Sequence, residues 1–177
     1  YGEANAVLCG DALLTLAFEV ISAVPDLPPP PCPTELTRVL ARAAGSRGVV
    51  GGQFEDLRAE GREITQEELA FIHHHKTADL LAAACHMGAL CADAPESERL
   101  PLARFGSELG LAFQLIDDIL DETADAATLG KPAGSDRDAD KATAVRCLGL
   151  EEARRLAAQH TSAALDALRP LGDRTED

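Results

Sequence analysis

The stretch FQLIDDILD, residues 113–121, carries three aspartates inside a segment that otherwise has the composition of a buried helix. Its polar residues are spaced i, i+3, i+4 and i+7, so a helix would place them in one stripe. They are Gln114, Asp117, Asp118 and Asp121. Carboxylates aligned in an apolar setting repel one another unless a cation neutralises them, and Mg²⁺ prefers such oxygen ligands. The stripe therefore predicts either a magnesium site or a solvated strip at the edge of a helix bundle.

A second candidate is Lys76, a single cation within the apolar stretch IHHHKTADLLAAAC. Helical spacing places His73, Thr77 and Leu80 on the same face as this lysine. A lysine removed from water needs an anionic partner, and a diphosphate would serve, although a lysine can also extend its ammonium group to the surface. The histidines at 73–75 cannot all bind one ion, because consecutive side chains on a helix point about 100° apart.

Weaker signals lie on either side of these two stretches. Gln53 and Asp56 are spaced i, i+3 in GGQFED, and Lys131 and Lys141 lie in and just after the loop that follows the acidic stripe. Such a loop could close over a metal-bound anion, or it could be an ordinary solvated connection.

The elements that must position these residues are predicted to be helices. Alanine and leucine dominate, while aromatic residues make up only 3% of the chain, so the composition favours an all-α fold. Thr65 and Glu68 resemble a capping box that begins a long helix. The helices are expected at about 2–24, 34–44, within 45–61, 65–92, 96–122, 139–147 and 150–168, with loops at 25–33 and 123–140. The first is apolar on nearly all faces, so we expect it to be buried in a core or against a partner.

The charge and the cysteines limit the possible partners and location. A net charge of −14 argues against nucleic-acid binding and against an anionic membrane surface. No signal peptide is recognisable, and no apolar run is expected to reach the roughly 18 residues of an integral membrane segment. The five cysteines form no CxxC pair, which indicates reduced, buried thiols in a cytoplasmic protein. The chain starts at Tyr1 and stops just after a helix, so we expect it to be a fragment.

Taken in order, GGQxxD, FIHxxKT, FQLIDDILD, GKxxGxD and a following DK resemble the motifs of the trans-isoprenyl diphosphate synthases, the polyprenyl synthetase family. The resemblance implies a bundle of long helices around a central cavity, the isoprenoid synthase type I fold, here incomplete at both ends. Residues 1–177 would be the C-terminal portion of a single domain. It also implies a homodimer that acts on isopentenyl diphosphate and an allylic diphosphate.

The same resemblance assigns roles to individual residues. The implied metal ligands are Asp117, Asp118 and Asp121, which would bind Mg²⁺, three ions in the complete enzyme. The implied substrate-binding residues are Lys76, Thr77, Gln114, Lys131, Lys141, Gln53 and Asp56. The implied catalytic residues are Lys76, Thr77, Gln114 and Asp117.

The implied reaction is head-to-tail prenyl transfer. Ionisation of the allylic diphosphate, attack by isopentenyl diphosphate and loss of a proton would give a C10–C20 prenyl diphosphate. The first aspartate-rich motif of the family should precede Tyr1, and the residues that bind isopentenyl diphosphate are missing as well, so we expect the chain alone to be inactive. Two alternatives stay open: a non-catalytic regulatory subunit of a heteromeric synthase, and a relative of the class I terpene synthases.

Overall fold

The computed structural model describes residues 2–23, 33–123 and 141–175, and within these ranges every regular element is helical. This confirms the all-α fold. Most of the two predicted loops, and with them Lys131 and Cys32, lie outside the described residues.

The helices follow the predicted segments closely, with two differences. The helix expected over residues 139–147 begins at Ala144 among the described residues, because the side chain of Thr143 caps it there. The helix expected over residues 65–92 is two α-helices separated by a short π-helix. The helices are α1 (Glu3–Ser22), α2 (Pro33–Ala44), α3 (Val49–Ala59), α4 (Gln66–His73), the π-turn (His74–Ala78), α5 (Asp79–Cys91), α6 (Glu96–Thr123), α7 (Ala144–Leu148) and α8 (Leu150–Leu168). A 3₁₀ segment, Arg169–Thr175, follows α8.

The predicted capping box begins α4. The hydroxyl of Thr65 accepts a hydrogen bond from the backbone N–H of Glu68 at 3.2 Å, and the Glu68 carboxylate accepts one from the N–H of Thr65 at 2.8 Å. These reciprocal bonds satisfy two N–H groups that a helix start leaves without partners. The capping box therefore fixes where the helix carrying the histidines and Lys76 begins.

The π-turn changes the direction in which the side chains after it point. The N–H of Asp79 donates to the carbonyl oxygen of His74, a bond that spans five residues instead of four. A π-turn adds one residue to the helical turn, so the 3.6-residue spacing does not hold across it. Hydrophobic periodicity alone could not reveal it, because the flanking residues are apolar on several faces.

Two glycines let neighbouring helices approach the π-turn. A Cβ on Gly52 of α3 would lie 2.2 Å from the backbone nitrogen of Lys76, and one on Gly110 of α6 would lie 2.5 Å from the Cα of Ala78. Real side chains do not tolerate such distances, so both positions require glycine. The close contacts place Lys76 and Thr77 between α3 and α6.

Small side chains make up much of the core. One cluster joins α4, α6, α7 and α8 through Leu69, Leu115, Ala144, Ala153 and Ala157. A second cluster joins the end of α1 to α2 and α5 through Ile21, Leu36, Leu40 and Leu90. The first cluster supports the helices that carry the candidate site.

Within the part of the chain that the structure describes, α1 is not buried in a core, and the alternative that α1 is buried against a partner stays a prediction. Ile21 is its single buried residue, and Val7, Leu8 and Leu13 are each at least 60% exposed. Cys9 is exposed too, as is Cys91 in α5, so the expectation of buried thiols also fails at these two positions. The apolar periphery of α1 forms one of the largest exposed apolar surfaces described.

The sequence expectation about membrane-spanning runs also needs correction. By length and composition α1 could cross a membrane, with a mean hydropathy of 1.6 over its most apolar window. A core helix or a signal sequence passes the same test, so this is weak evidence about location.

Candidate active site

Five predicted residues meet where α3, the π-turn and α6 pack together. Gly52 and Gly110 hold the three elements in close contact at this point. The side chains brought together here are Asp56, Lys76, Thr77, Gln114 and Asp118. We call this set, together with His73, the polar network.

Lys76 is paired with a carboxylate of the protein itself. Its Nζ lies 2.6 Å from Oδ2 of Asp56; the Asp56 side chain is 7% exposed, and that of Lys76 is 26% exposed. The sequence predicted an anionic partner for Lys76, and the structure supplies Asp56 in that role. An ammonium group has three N–H donors, so the part of Lys76 still open to solvent retains capacity for a second anion.

A chain of hydrogen bonds leads from Thr77 to Asp118. The hydroxyl of Thr77 donates to Oε1 of Gln114 at 2.7 Å, and Nε2 of Gln114 donates to Oδ1 of Asp118 at 3.1 Å. The second bond fixes which way the amide faces, because a carboxylate can only accept. The carbonyl oxygen of Gln114 is therefore directed towards Thr77.

Asp118 is the most heavily engaged carboxylate of the site. Its Oδ2 accepts the backbone N–H of Ala144 at 2.6 Å and lies 3.3 Å from Nε2 of His73, whose side chain is also buried. Burial opposes the charged carboxylate, but the His73 ring, the Ala144 N–H and the Gln114 amide together outweigh it and hold the pKa of Asp118 below its usual value. Both oxygens of Asp118 are thus bound to donors of the protein.

Asp121 is buried and Asp117 is half-buried, while the apolar Phe113 and Ile116 are 59% and 44% exposed. The prediction of an acidic stripe on an otherwise buried helix is thus wrong here, because apolar residues beside the stripe are exposed whereas Asp121 within it is buried. Within residues 2–23, 33–123 and 141–175, no three His, Cys, Asp or Glu side chains are grouped so that they could hold a metal ion.

The donor chemistry nevertheless fits Mg²⁺ at two of the three aspartates. Asp117 and Asp121 are spaced i, i+4, which places their carboxylates on neighbouring turns of α6. Mg²⁺ is commonly bound by one or two carboxylates, with water and phosphate oxygens completing the octahedron. The carboxylate of Asp118 is engaged by its protein donors.

An apolar cavity of about 570 Å³ lies between α1, α2 and α5. Its walls include Leu13, Leu36, Leu80 and Met87. Leu80 comes three residues after Thr77 in sequence, and the network side chains themselves do not line this cavity.

Comparisons with known proteins agree with this arrangement. A family model described as polyprenyl synthetase matches residues 1–169. The chain belongs to the polyprenyl synthetase family. It is 44% identical over 170 residues to farnesyl diphosphate synthase of Geobacillus stearothermophilus, and 43% identical over 180 residues to that of Escherichia coli strain K12. It covers 57% and 60% of these relatives, whereas they match 96% and 100% of this chain.

A solved structure of a family member shows the same fold. The geranyltransferase of Helicobacter pylori, complexed with magnesium and isoprenyl diphosphate, matches with a TM-score of 0.82 and 36% sequence identity. The match covers 98% of this chain and 56% of that one. The predicted isoprenoid synthase fold is therefore confirmed.

The remaining predicted site residues of this family member lie at the margins of the polar network. Gln53 is half-buried in α3, one turn before Asp56, and half-buried Lys141 lies three residues before Ala144. Lys131 lies outside the described residues. The roles predicted for these residues, and the three predicted metal ligands, stay predictions.

Reasoning from the sequence underestimated the importance of His73. As expected, the three consecutive histidines do not act together: His73 contacts Asp118, whereas His74 and His75 both contact Asp79. The available sequence signal for His73 was its position four residues after Leu69, on the buried face of α4. The backbone N–H of Ala144 carried no sequence signal, because any residue but proline supplies one.

Proposed function

We propose that the chain supplies the allylic-diphosphate half of the active site of a head-to-tail prenyltransferase that makes a C10–C20 prenyl diphosphate. The observation that carries this proposal is the polar network, which orders Lys76, Thr77, Gln114 and Asp118 before any ligand binds. Membership of the polyprenyl synthetase family supports it.

Lys76 would anchor the diphosphate. Asp56 holds its ammonium group in place at 2.6 Å, so the lysine loses little conformational freedom when the substrate binds. Lys131 and Lys141 would add positive charge for binding the diphosphate. Asp117 and Asp121 would hold Mg²⁺, which supplies neutralisation of the charge on the leaving diphosphate when it is bound.

Thr77 and Gln114 would stabilise the positive charge that develops on the allylic carbon. Their oxygens carry partial negative charge, and the bond from Gln114 to Asp118 sets the amide orientation before the substrate arrives. Dipoles fixed in advance cost no reorganisation during the reaction. Asp118 would therefore act as a positioning residue.

The apolar cavity would hold the hydrocarbon chain and exclude water. A carbocation reacts with any water within reach, so a dry cavity protects the intermediate. The allylic C–O bond breaks, the double bond of isopentenyl diphosphate forms the new C–C bond, and the released diphosphate accepts the proton. A homodimer in the cytoplasm belongs to the same proposal.

The test is calorimetric titration of the chain with geranyl diphosphate, with and without Mg²⁺. We expect binding that depends on Mg²⁺ and that weakens about tenfold or more in Asp117→Asn/Asp121→Asn, because the metal loses two carboxylates. The matched control is Asp11→Asn/Asp166→Asn, which removes the same charge from exposed positions in α1 and α8. Equal weakening in both variants, or no binding at all, would contradict the proposal.

A turnover assay with added isopentenyl diphosphate separates the alternatives. We expect background turnover from this chain alone and condensation when a polypeptide carrying the first aspartate-rich motif is present. Binding of allylic diphosphate with no condensation in that mixture would favour the regulatory subunit. Release of a hydrocarbon without isopentenyl diphosphate would favour a terpene synthase.

A further inference from the structure

A second cavity, of about 370 Å³, lies between α2 and the helices that follow His73. Basic side chains line its two walls, and we call it the arginine groove. They are Arg38, Arg42 and Arg47 on one wall and His74, His75 and His86 on the other. Arg38 and Arg42 are spaced i, i+4 on α2, and Arg47 lies in the turn that follows. Three arginines therefore line one opening.

These three arginines lack the side-chain ion pairs that seven other described arginines form. Neither Arg38, Arg42 nor Arg47 forms an ion pair or a side-chain hydrogen bond with any residue that the structure describes. By contrast, seven other arginines each lie within 4.0 Å of a carboxylate. They are Arg58, Arg62, Arg99, Arg104, Arg154, Arg155 and Arg169. In a chain with a net charge of −14, these three neighbouring cations have no anionic partner among the described residues.

The one carboxylate that lines the groove is already engaged. Asp79 lies 2.7 Å from Nδ1 of His75 and 3.3 Å from Nε2 of His74, one contact for each of its oxygens. It is therefore not a counter-ion for the arginines. On the same wall, Nδ1 of His86 is the single fully buried side-chain nitrogen or oxygen without a hydrogen-bond partner in the described ranges. The arginine wall thus retains unused hydrogen-bonding capacity, and the opposite wall contains a buried ring nitrogen without a partner.

The floor of the groove leaves room for a ligand because its residues are small. Ala43 of α2, Ala82 and Ala83 of α5 and Ala103 of α6 line it. Guanidinium groups match the geometry of phosphate oxygens and can bind them in pairs. A long polyanion such as nucleic acid would meet the acidic remainder of the surface, so the charge distribution favours a small ligand.

We propose that the arginine groove binds a small anion carrying two or more phosphoryl groups, at a site separate from the polar network. None of Lys76, Thr77, Gln114 or the three aspartates of FQLIDDILD lines the groove. Lys76 follows His75 in sequence, but its ammonium group is bound to Asp56 of α3, and neither Lys76 nor Asp56 lines the groove. The two sites therefore use different faces of the same segment.

The histidines make a direct test possible, since the chain has only five. We would label them with ¹⁵N and titrate the full chain with sodium tripolyphosphate in the presence of EDTA, which removes divalent metal. The ring signals of His74, His75 and His86 should shift with one common dissociation constant, while His160, paired with Glu108, should not. Shifts confined to His73 and His75 would place the anion at Lys76 and would overturn the proposal, as would the absence of any shift.

Charge-matched variants decide whether the arginines are responsible. Arg38→Gln/Arg42→Gln/Arg47→Gln should weaken tripolyphosphate binding at least tenfold, because charge-assisted hydrogen bonds are lost. All three residues are exposed, so the substitutions should leave the fold intact. The control is Arg154→Gln/Arg155→Gln/Arg169→Gln in and after α8, which removes the same charge. Equal weakening in both triple variants would show non-specific attraction and would overturn the proposal.

Discussion

The polar network and the arginine groove lie on different faces of one helical segment, and they treat charge in opposite ways. In the network, Lys76 meets Asp56, and Asp118 meets three donors. In the groove, three arginines have no counter-ion among the described residues. Burial explains the difference, since a buried charge without a partner is costly whereas an exposed one is solvated. The network is thus fixed before any ligand binds, while the groove keeps its charge available for one.

The largest effect on stability that tests this contrast is expected at Asp118. Replacing it with alanine leaves buried His73 and the N–H of Ala144 without their acceptor, so we expect a loss of about 3–5 kcal/mol in the free energy of unfolding. Urea denaturation measures it. Arg42→Gln in the groove is the comparison and should change stability by no more than about 0.5 kcal/mol. Similar losses of stability in the two variants would show that Asp118 does not depend on its protein partners more than Arg42 does.

Acid should weaken the network and spare the groove. The pKa of Asp118 is lowered by folding, so its stabilising effect is complete above its unfolded value, about 3.9, and is lost as pH falls through the lower folded value. We expect the stability difference between the wild type and Asp118→Asn, measured in EDTA by urea denaturation, to shrink below about pH 4. A difference that stays constant down to pH 2 would contradict the assignment of a depressed pKa.

A smaller loss is expected where the helices approach the π-turn. Gly110→Ala would place a Cβ 2.5 Å from the Cα of Ala78, and relief of this overlap should cost about 1–3 kcal/mol. The control is Gly88→Ala in α5, where nothing lies within 4 Å and alanine should stabilise by up to about 1 kcal/mol. Thermal unfolding of both variants measures this. Equal effects would mean that α6 does not need to approach so closely to position Thr77.

The smallest effect on stability is expected at the capping box, where α4 begins. Thr65→Ala removes one of the two bonds of the capping box, so a loss of about 1 kcal/mol is expected. Thr15→Ala is the control, since this exposed threonine bonds back within α1 and starts no helix. Thermal unfolding should distinguish the two; a larger loss at Thr15 would show that the cap contributes little.

Much of the fold follows from patterns that are local in sequence. Helix periodicity, the capping box and the proline-rich stretch placed the described helices within a few residues. The π-turn did not follow, because it depends on how α3 and α6 press against residues 74–78. Nor did the exposure of α1, because an apolar helix pattern indicates that a surface prefers burial without saying what covers it.

The site divides in the same way. The order of the motifs identified Lys76, Thr77, Gln114 and the aspartates as candidate site residues. In the structure, Lys76 contacts Asp56 and Thr77 contacts Gln114. The sequence could not show that Asp118, unlike Asp117, would face His73 and the N–H of Ala144, because the aspartates of the stripe are the same residue type. This inference required knowing that α7 begins against α6. The arginine groove escaped notice because its two walls come from segments more than 25 residues apart in sequence.

The π-turn also determines which changes in length the chain can tolerate. Deleting one residue from His74–Ala78 would restore an ordinary helix and rotate everything on one side of the deletion by about 100° relative to the other. Thr77 would turn away from Gln114, or the whole of α5 would turn away from α6. Length variants of this protein should therefore be found in the connections between helices, and residues 74–78 should keep a fixed length even where their side chains change.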